Sequence, residues 1–232
     1  MSKEIKTWRD PYDAGFSTCR PKSITIQPGF TVLVGCNGSG KSTLLHNIQE
    51  QLQAENIPVY YYDNANTKNL ISEAIWNNQM YVAAMSATSS EGEQITLGLN
   101  VKVNELSMFI DKGKVINRHS RIAEAFGSKE QEITTNERWI LLDAIDSGYS
   151  IDNIVDLKAF LASIADDAYK SGKVLYIVAA ANSYELAAHE ACMDATTGKY
   201  MQFDSYEEYK KFILKSGEKK ARRDKRYENM CS

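Results

Sequence analysis

Apolar positions along this chain gather into short continuous runs, with longer stretches of helical spacing between them. Phe30–Val34 (FTVLV), Trp139–Leu142 (WILL) and Val174–Ala180 (VLYIVAA) have the pattern of strands buried on both faces. Ser23–Gln27 (SITIQ) alternates like a short strand before a Pro28-Gly29 turn, and Val59–Tyr62 reads as a further strand. Thr43–Glu55 places Leu44, Leu45, Ile48 and Leu52 on one helical face. Asn153–Lys170 does the same with Ile154, Leu157, Phe160, Leu161 and Ile164. Residues 69–86 read as mainly helical, 86–90 as a Ser/Thr-rich loop, Gln94 to about Phe126 as a long helical stretch, and 128–137 as a polar loop. Tyr184–His189 predicts a short helix and Gly198 a hairpin turn before Tyr200–Phe203. Ser205-Tyr-Glu-Glu has the form of a capping box opening the last helix.

Strands that alternate with helices predict an α/β fold, a mostly parallel sheet covered by helices on both faces. There is no internal repeat and no low-complexity linker. Residues 1–232 read as a single domain, with a helical lobe at about 66–130 and a basic C-terminal helix at about 205–227.

Composition adds limits. Hydrophobic residues at 43% and charged residues at 25% exclude a disordered or fibrous chain. The net charge of −3 excludes a wholly basic nucleic-acid coat protein, yet residues 215–226 hold seven basic and two acidic side chains. That tail could meet phosphate backbone. It reads first as a solvated helix end, where Lys and Arg suit the macrodipole. Cys19, Cys36, Cys192 and Cys231 lack CxxC spacing and look like the reduced thiols of a cytosolic protein. No apolar run approaches the roughly 20 residues of a membrane helix, so a cytoplasmic protein without membrane insertion is expected. His46, His119 and His189 are dispersed, which argues against a zinc site.

One motif carries chemistry. Gly35-Cys-Asn-Gly-Ser-Gly-Lys41-Ser42 fits GxxxxGK[ST] in full and stands between a buried strand and a helix. Asn37, Gly38, Ser39, Gly40, Lys41, Ser42 and Thr43 are the expected nucleotide-binding residues. Backbone N–H groups would curl toward phosphate at a helix N-terminus, Lys41 would neutralise the β- and γ-phosphates, and Ser42 would bind Mg²⁺. A Gly-rich turn that merely contains Lys would not match every fixed position in this context. Asp143, ending the WILL strand, is placed to hold Mg²⁺ through a water. Lys41 and Asp143 are therefore the catalytic candidates, and Ser42 and Asp143 the metal candidates.

Phosphate cradles serve many functions, so the class must come from other residues. Ser89-Ser90-Glu91-Gly92-Glu93-Gln94 resembles the signature of ABC-type ATPases, although a Ser-rich helix cap would look similar. LLDAIDSGYSID (141–152) resembles the family's run LLDEPTSGLD, and AAANS (179–183) occupies the place of its switch segment. Nearly the whole chain thus resembles ABC-type/AAA P-loop ATPases of the SMC-like superfamily, with small soluble ATP-binding proteins of bacteriophages and bacteria the nearest likeness.

That resemblance implies a P-loop NTPase with a small helical ABC-type lobe, using ATP and Mg²⁺. It implies a head-to-tail homodimer in which Ser90, Glu91 and Gly92 cap ATP held by the opposite subunit. Asn182 then stands at the switch position, where the family has His. Ala144 stands where the family has a water-orienting Glu, and Ser150 replaces a D-loop aspartate near Asp152. Slow hydrolysis follows, with Asp146, Glu91 or Glu93 as candidates for the missing carboxylate. Alternatives are an ATP-dependent binding switch with little hydrolysis and a P-loop small-molecule kinase. The client could be nucleic acid or protein. Only 48 residues separate Lys41 from Ser89, too few for a long coiled-coil arm before the signature. Gln79, Asp63 and Asn64 are weaker candidates for sensing the γ-phosphate, and Tyr12 and Phe16 for stacking on adenine. Tyr60, Tyr61 and Tyr62 read as strand packing.

Overall fold

The computed structural model describes residues 2–7, 21–63, 105–114, 133 and 135–231. In chain order its elements are β1 (Lys3–Lys6), β2 (Ser23–Ile26), β3 (Gly29–Val34), α1 (Lys41–Ala54), β4 (Val59–Asp63), β5 (Glu137–Asp143), α2 (Ile151–Lys170), β6 (Val174–Ala180), α3 (Tyr184–Ala187), β7 (Ala191–Asp194), β8 (Tyr200–Met201) and α4 (Tyr206–Cys231). Residues 105–112 form a further helical segment. Most of the expected lobe at 66–130 lies outside the described residues.

Six strands make one sheet in the order β4-β5-β6-β3-β7-β8. The first five are parallel, and β8 returns antiparallel to β7 through the turn that holds Gly198. The mostly parallel sheet expected from the apolar runs is therefore present. Parallel strands need crossovers, so their C-terminal ends share one edge, where ligands of open α/β sheets bind. Asp63 is level with Asp143 across β4 and β5, and Leu33 with Ala180 across β3 and β6.

Period-two alternation sorts the strand residues between two cores. Trp139, Leu141, Val178 and Leu33 face α1, where Leu44, Leu45, Ile48 and Leu52 are fully buried. Ile140, Leu142, Ile177 and Val32 face α2 through Ile154, Leu157 and Leu161, joined by Leu106 and Phe109 of the 105–112 segment. Both sheet faces are covered, which is why the strand runs read as continuously apolar.

Two strands escaped the sequence reading: β7, whose four residues ACMD are too few to stand out as an apolar run, and β1. β1 pairs antiparallel with β2 in a small separate sheet, where Ile5, Ile24 and Ile26 close over α1. Gln51 clamps it: its side-chain oxygen accepts the Lys6 N–H at 3.0 Å while its amide donates to the Lys6 carbonyl. The last helix opens as its sequence proposed, with Ser205 Oγ accepting the Glu208 N–H at 3.4 Å. Glu208 reaches back one residue further than expected, to the Asp204 N–H at 3.0 Å.

Candidate functional site

At the C-terminal end of β3 the chain leaves the sheet and doubles back into α1. Two glycines make the turn possible. A Cβ on Gly35 would lie 2.5 Å from Ser39 Oγ, and Gly38 sits at φ 73°, a left-handed conformation. Among the described residues no side chain caps α1, whose first turn has the N–H groups that a helix N-terminus leaves without an intrahelical partner. Asn37, Gly38, Ser42 and Thr43 are exposed there, whereas Ser39 is buried. Lys41 folds into the loop, only 8% exposed, and its Nζ donates to the Gly35 carbonyl at 2.8 Å. Burial lowers its pKa, and the charges of Cys36, Asp146 and Asp143 pull the other way.

Asp143 ends β5 and is 7% exposed. The Tyr61 hydroxyl donates to its Oδ2 at 3.2 Å, and the Tyr61 ring stacks on His46 with centroids 4.9 Å apart. Burial and the Asp143 charge push the Tyr61 phenol above its ordinary range, so it remains a donor. Tyr61 is thus more than strand packing. Asp63 stands beside Asp143 at the end of β4, and Asn64 lies outside the described residues. Ala144 follows at φ 49°, an unusual backbone for a residue with a Cβ, and starts the tight turn that brings Asp146 back under the sheet edge.

Asp146 joins this turn to the end of β6. Its Oδ2 accepts the backbone N–H of Asn182 at 2.7 Å and that of Ser183 at 2.6 Å, while the carboxylate is 7% exposed. Its Oδ1 is buried without a hydrogen-bond partner among the described residues. The Asn182 side chain is exposed at the same edge. Ser90, Glu91, Gly92, Glu93, Gln79, Tyr12 and Phe16 lie outside the described residues.

The basic tail differs from its sequence reading. Ser216, on α4, is buried and its Oγ accepts the Cys36 N–H at 3.2 Å. Lys220, one turn on, donates to the Asn37 carbonyl at 3.1 Å, and its Nζ would lie 2.7 Å from a Cβ on Gly38. Tyr209, Phe212 and Ile213 pack the first half of the helix on the α2 side of the core. The tail is therefore docked on the loop rather than solvated along its whole length. Sequence reasoning missed Tyr61, His46, Ser216 and Lys220. The only signal was the spacing of Tyr209, Phe212, Ile213 and Ser216, which marks one buried face of α4.

Oxygen donors suited to a hard cation stand at the strand ends. Tyr61 occupies Asp143 Oδ2, which leaves Oδ1 for a cation or its water, and the Ser42 hydroxyl opens α1. Among the described residues no three or more His, Cys, Asp or Glu are grouped to hold a metal by themselves.

Residues 25–89 match the model of an AAA domain family. No curated protein matches the sequence. Among solved structures, an ATP-binding cassette of an ABC transporter in its ADP conformation has 13% identity and a TM-score of 0.40, over 81% of this chain and 85% of that one. At that score the likeness is shallow, and the site stands on its own geometry.

Proposed function

We propose that this chain, whose residues 25–89 match the model of an AAA domain, is a P-loop ATPase that binds Mg·ATP in the 35–43 loop, hydrolyses it slowly and closes as a head-to-tail homodimer. The observation that carries the reading is the position of Lys41. A buried ammonium held on a loop carbonyl, within the field of two buried carboxylates, is placed to exchange that carbonyl for phosphate oxygens.

Each residue then has a role. The N–H groups from Gly38 to Thr43 cradle the phosphates, and Lys41 neutralises the β- and γ-oxygens. Ser42 and Asp143 hold Mg²⁺, which offsets phosphate charge when bound. Tyr61 fixes the Asp143 carboxylate. Asp146 grips the switch segment through Oδ2, and its unpartnered Oδ1 is the carboxylate oxygen we assign to orienting a water. Ala144 offers none, which supports slow turnover and keeps the binding-switch reading as the second choice.

Dimerisation rests on the signature residues Ser90, Glu91 and Gly92 acting across subunits. It is supported by Ile151 and Val155, 64% and 54% exposed and one turn apart at the start of α2, beside the Asp143–Ser150 turn. No helix among the described residues is long and apolar enough to cross a membrane. The client, nucleic acid or protein, would act through the dimer.

The test is a pair of measurements. ATP with Mg²⁺ should raise the melting temperature, and Lys41→Ala should remove most of the shift. Light scattering should show a dimer with a slowly hydrolysed ATP analogue, and Ser90→Arg should block it while ATP still binds. A shift that survives Lys41→Ala places the nucleotide elsewhere. A wild-type chain that stays monomeric with the analogue ends the homodimer reading.

A further inference from the structure

A cavity of about 150 Å³ opens beside the loop, between Ser39, the Thr196-Thr197 turn, and Ser216, Lys219, Lys220 and Arg223 of α4. The four α4 positions repeat at three- and four-residue spacing and so share one helix face. Three of them are cationic.

The neighbouring acids are already engaged. Asp194 takes the Thr196 N–H and hydroxyl on Oδ1, at 2.8 and 2.6 Å, and the Thr197 hydroxyl on Oδ2 at 2.9 Å. Glu218 pairs with Arg222, outside the cavity lining. Asp224 meets Arg223 at Nε and Nη2, leaving the Nη1 edge of the guanidinium. The Ser216 hydroxyl accepts from Cys36 and keeps its own proton to give. A cavity of this size holds a molecule about as large as benzene, which admits a tetrahedral oxyanion. Much of the wall is the aliphatic stems of these long side chains, whose ammonium and guanidinium groups are of the kind that matches phosphate.

We propose that this cavity is a second anion site, bordering the cradle at Ser39 but not using Lys41, that takes a phosphate group. Free orthophosphate and a phosphate of the nucleotide in the cradle present the same chemistry to it. Lys220 and Ser216 also hold Asn37 and Cys36, so an anion here pulls on the residues that shape the cradle.

The experiment titrates orthophosphate into the full chain by calorimetry, in wild type, Lys41→Ala, and the double variant Lys219→Gln/Arg223→Gln. Lys219 is exposed and Arg223 partly so, and neither belongs to the core. Orthophosphate should still bind Lys41→Ala and should bind the double variant about tenfold more weakly or worse, as expected for lost charge-assisted donors. Repeating the titration with a saturating slowly hydrolysed ATP analogue separates the sources. Persistent binding identifies free phosphate; displacement, with weaker analogue binding in the double variant, identifies a nucleotide phosphate. No orthophosphate binding, its loss in Lys41→Ala, or equal affinity in the double variant each overturns the proposal. An analogue that fails to bind wild type counts against the ATP reading alone, because the Lys41→Ala titration is independent of it.

Discussion

Asp146 Oδ2 lies 2.7 Å from the backbone nitrogen of Asn182 and accepts its N–H, which ties the turn after β5 to the end of β6. The same oxygen takes the Ser183 N–H, so one buried carboxylate fixes two consecutive peptides. Hydrogen bonds to charged groups contribute about 1.5–3 kcal/mol, and buried donors left unpaired cost a similar amount. Asp146→Ala should therefore lower stability by about 2–3 kcal/mol in urea denaturation, and Asp146→Asn, which keeps an oxygen acceptor, by less. ATP turnover should fall in both. A fully active, fully stable Asp146→Ala protein would remove Asp146 from the site.

Gly38→Ala tests the crowding of the loop. The left-handed backbone alone costs a residue with a Cβ about 1–2 kcal/mol, and the new methyl would push Lys220 off the Asn37 carbonyl. Stability should drop by about that amount, and the ATP-induced melting shift should shrink. An undiminished shift would show that the loop does not hold phosphate through this segment.

Ala144→Glu tests the slow-turnover reading. A carboxylate next to Asp143 would stand where the resembling family orients the attacking water, and such a group is worth about 10²–10⁴-fold. Position 144 already has φ 49°, so Glu adds no backbone demand that Ala does not meet. Single-turnover phosphate release should accelerate, and Asp143→Asn should abolish the gain. Rapid turnover in the unmodified protein would contradict the reading.

Alkaline pH gives a prediction with a definite sign. Burial pushes the Tyr149 and Tyr209 phenols above their ordinary range and the Cys192 thiol up to about 12. The folded chain keeps protons that the unfolded chain releases, so this stability is full below the ordinary values and is lost as pH climbs past about 9–10. Lys41, shifted the other way, gains stability over part of that span, so the check is a difference between variants. Tyr149→Phe should flatten the fall in urea midpoint between pH 8 and 11. At neutral pH it should stay within about 1 kcal/mol of the parent, because the Tyr149 hydroxyl has no hydrogen-bond partner among the described residues.

β3, β5, β6 and α1 were legible because burial on both faces writes itself as continuous apolar sequence, and a phosphate-binding turn has fixed glycine positions. β1 was not, because Lys3–Lys6 offers only Ile5 to the core, pairs with β2 across a gap in the sequence with Lys6 opposite Ser23, and takes partners for Lys6 from Gln51, farther along the chain. Asp143 was legible as a strand-ending acid. Its orientation by Tyr61 was not, since that contact joins neighbouring parallel strands whose pairing a single sequence does not disclose. The basic segment misled for a related reason. Its charge is local information, but its docking depends on Cys36 and Asn37 at the opposite end of the sequence.

That separation bears on how the chain is made. Ser216 and Lys220 follow the residues they hold by 180 and 183 positions. At ribosomal speeds of about 5–20 residues per second, the loop waits roughly 10–40 s for them. During that interval the nascent chain can offer the turn from Gly35 to Thr43 without its strap. A loop that is looser before α4 emerges than after it would meet cellular nucleotide first in its unstrapped form, and α4 would learn only afterwards whether the loop is full.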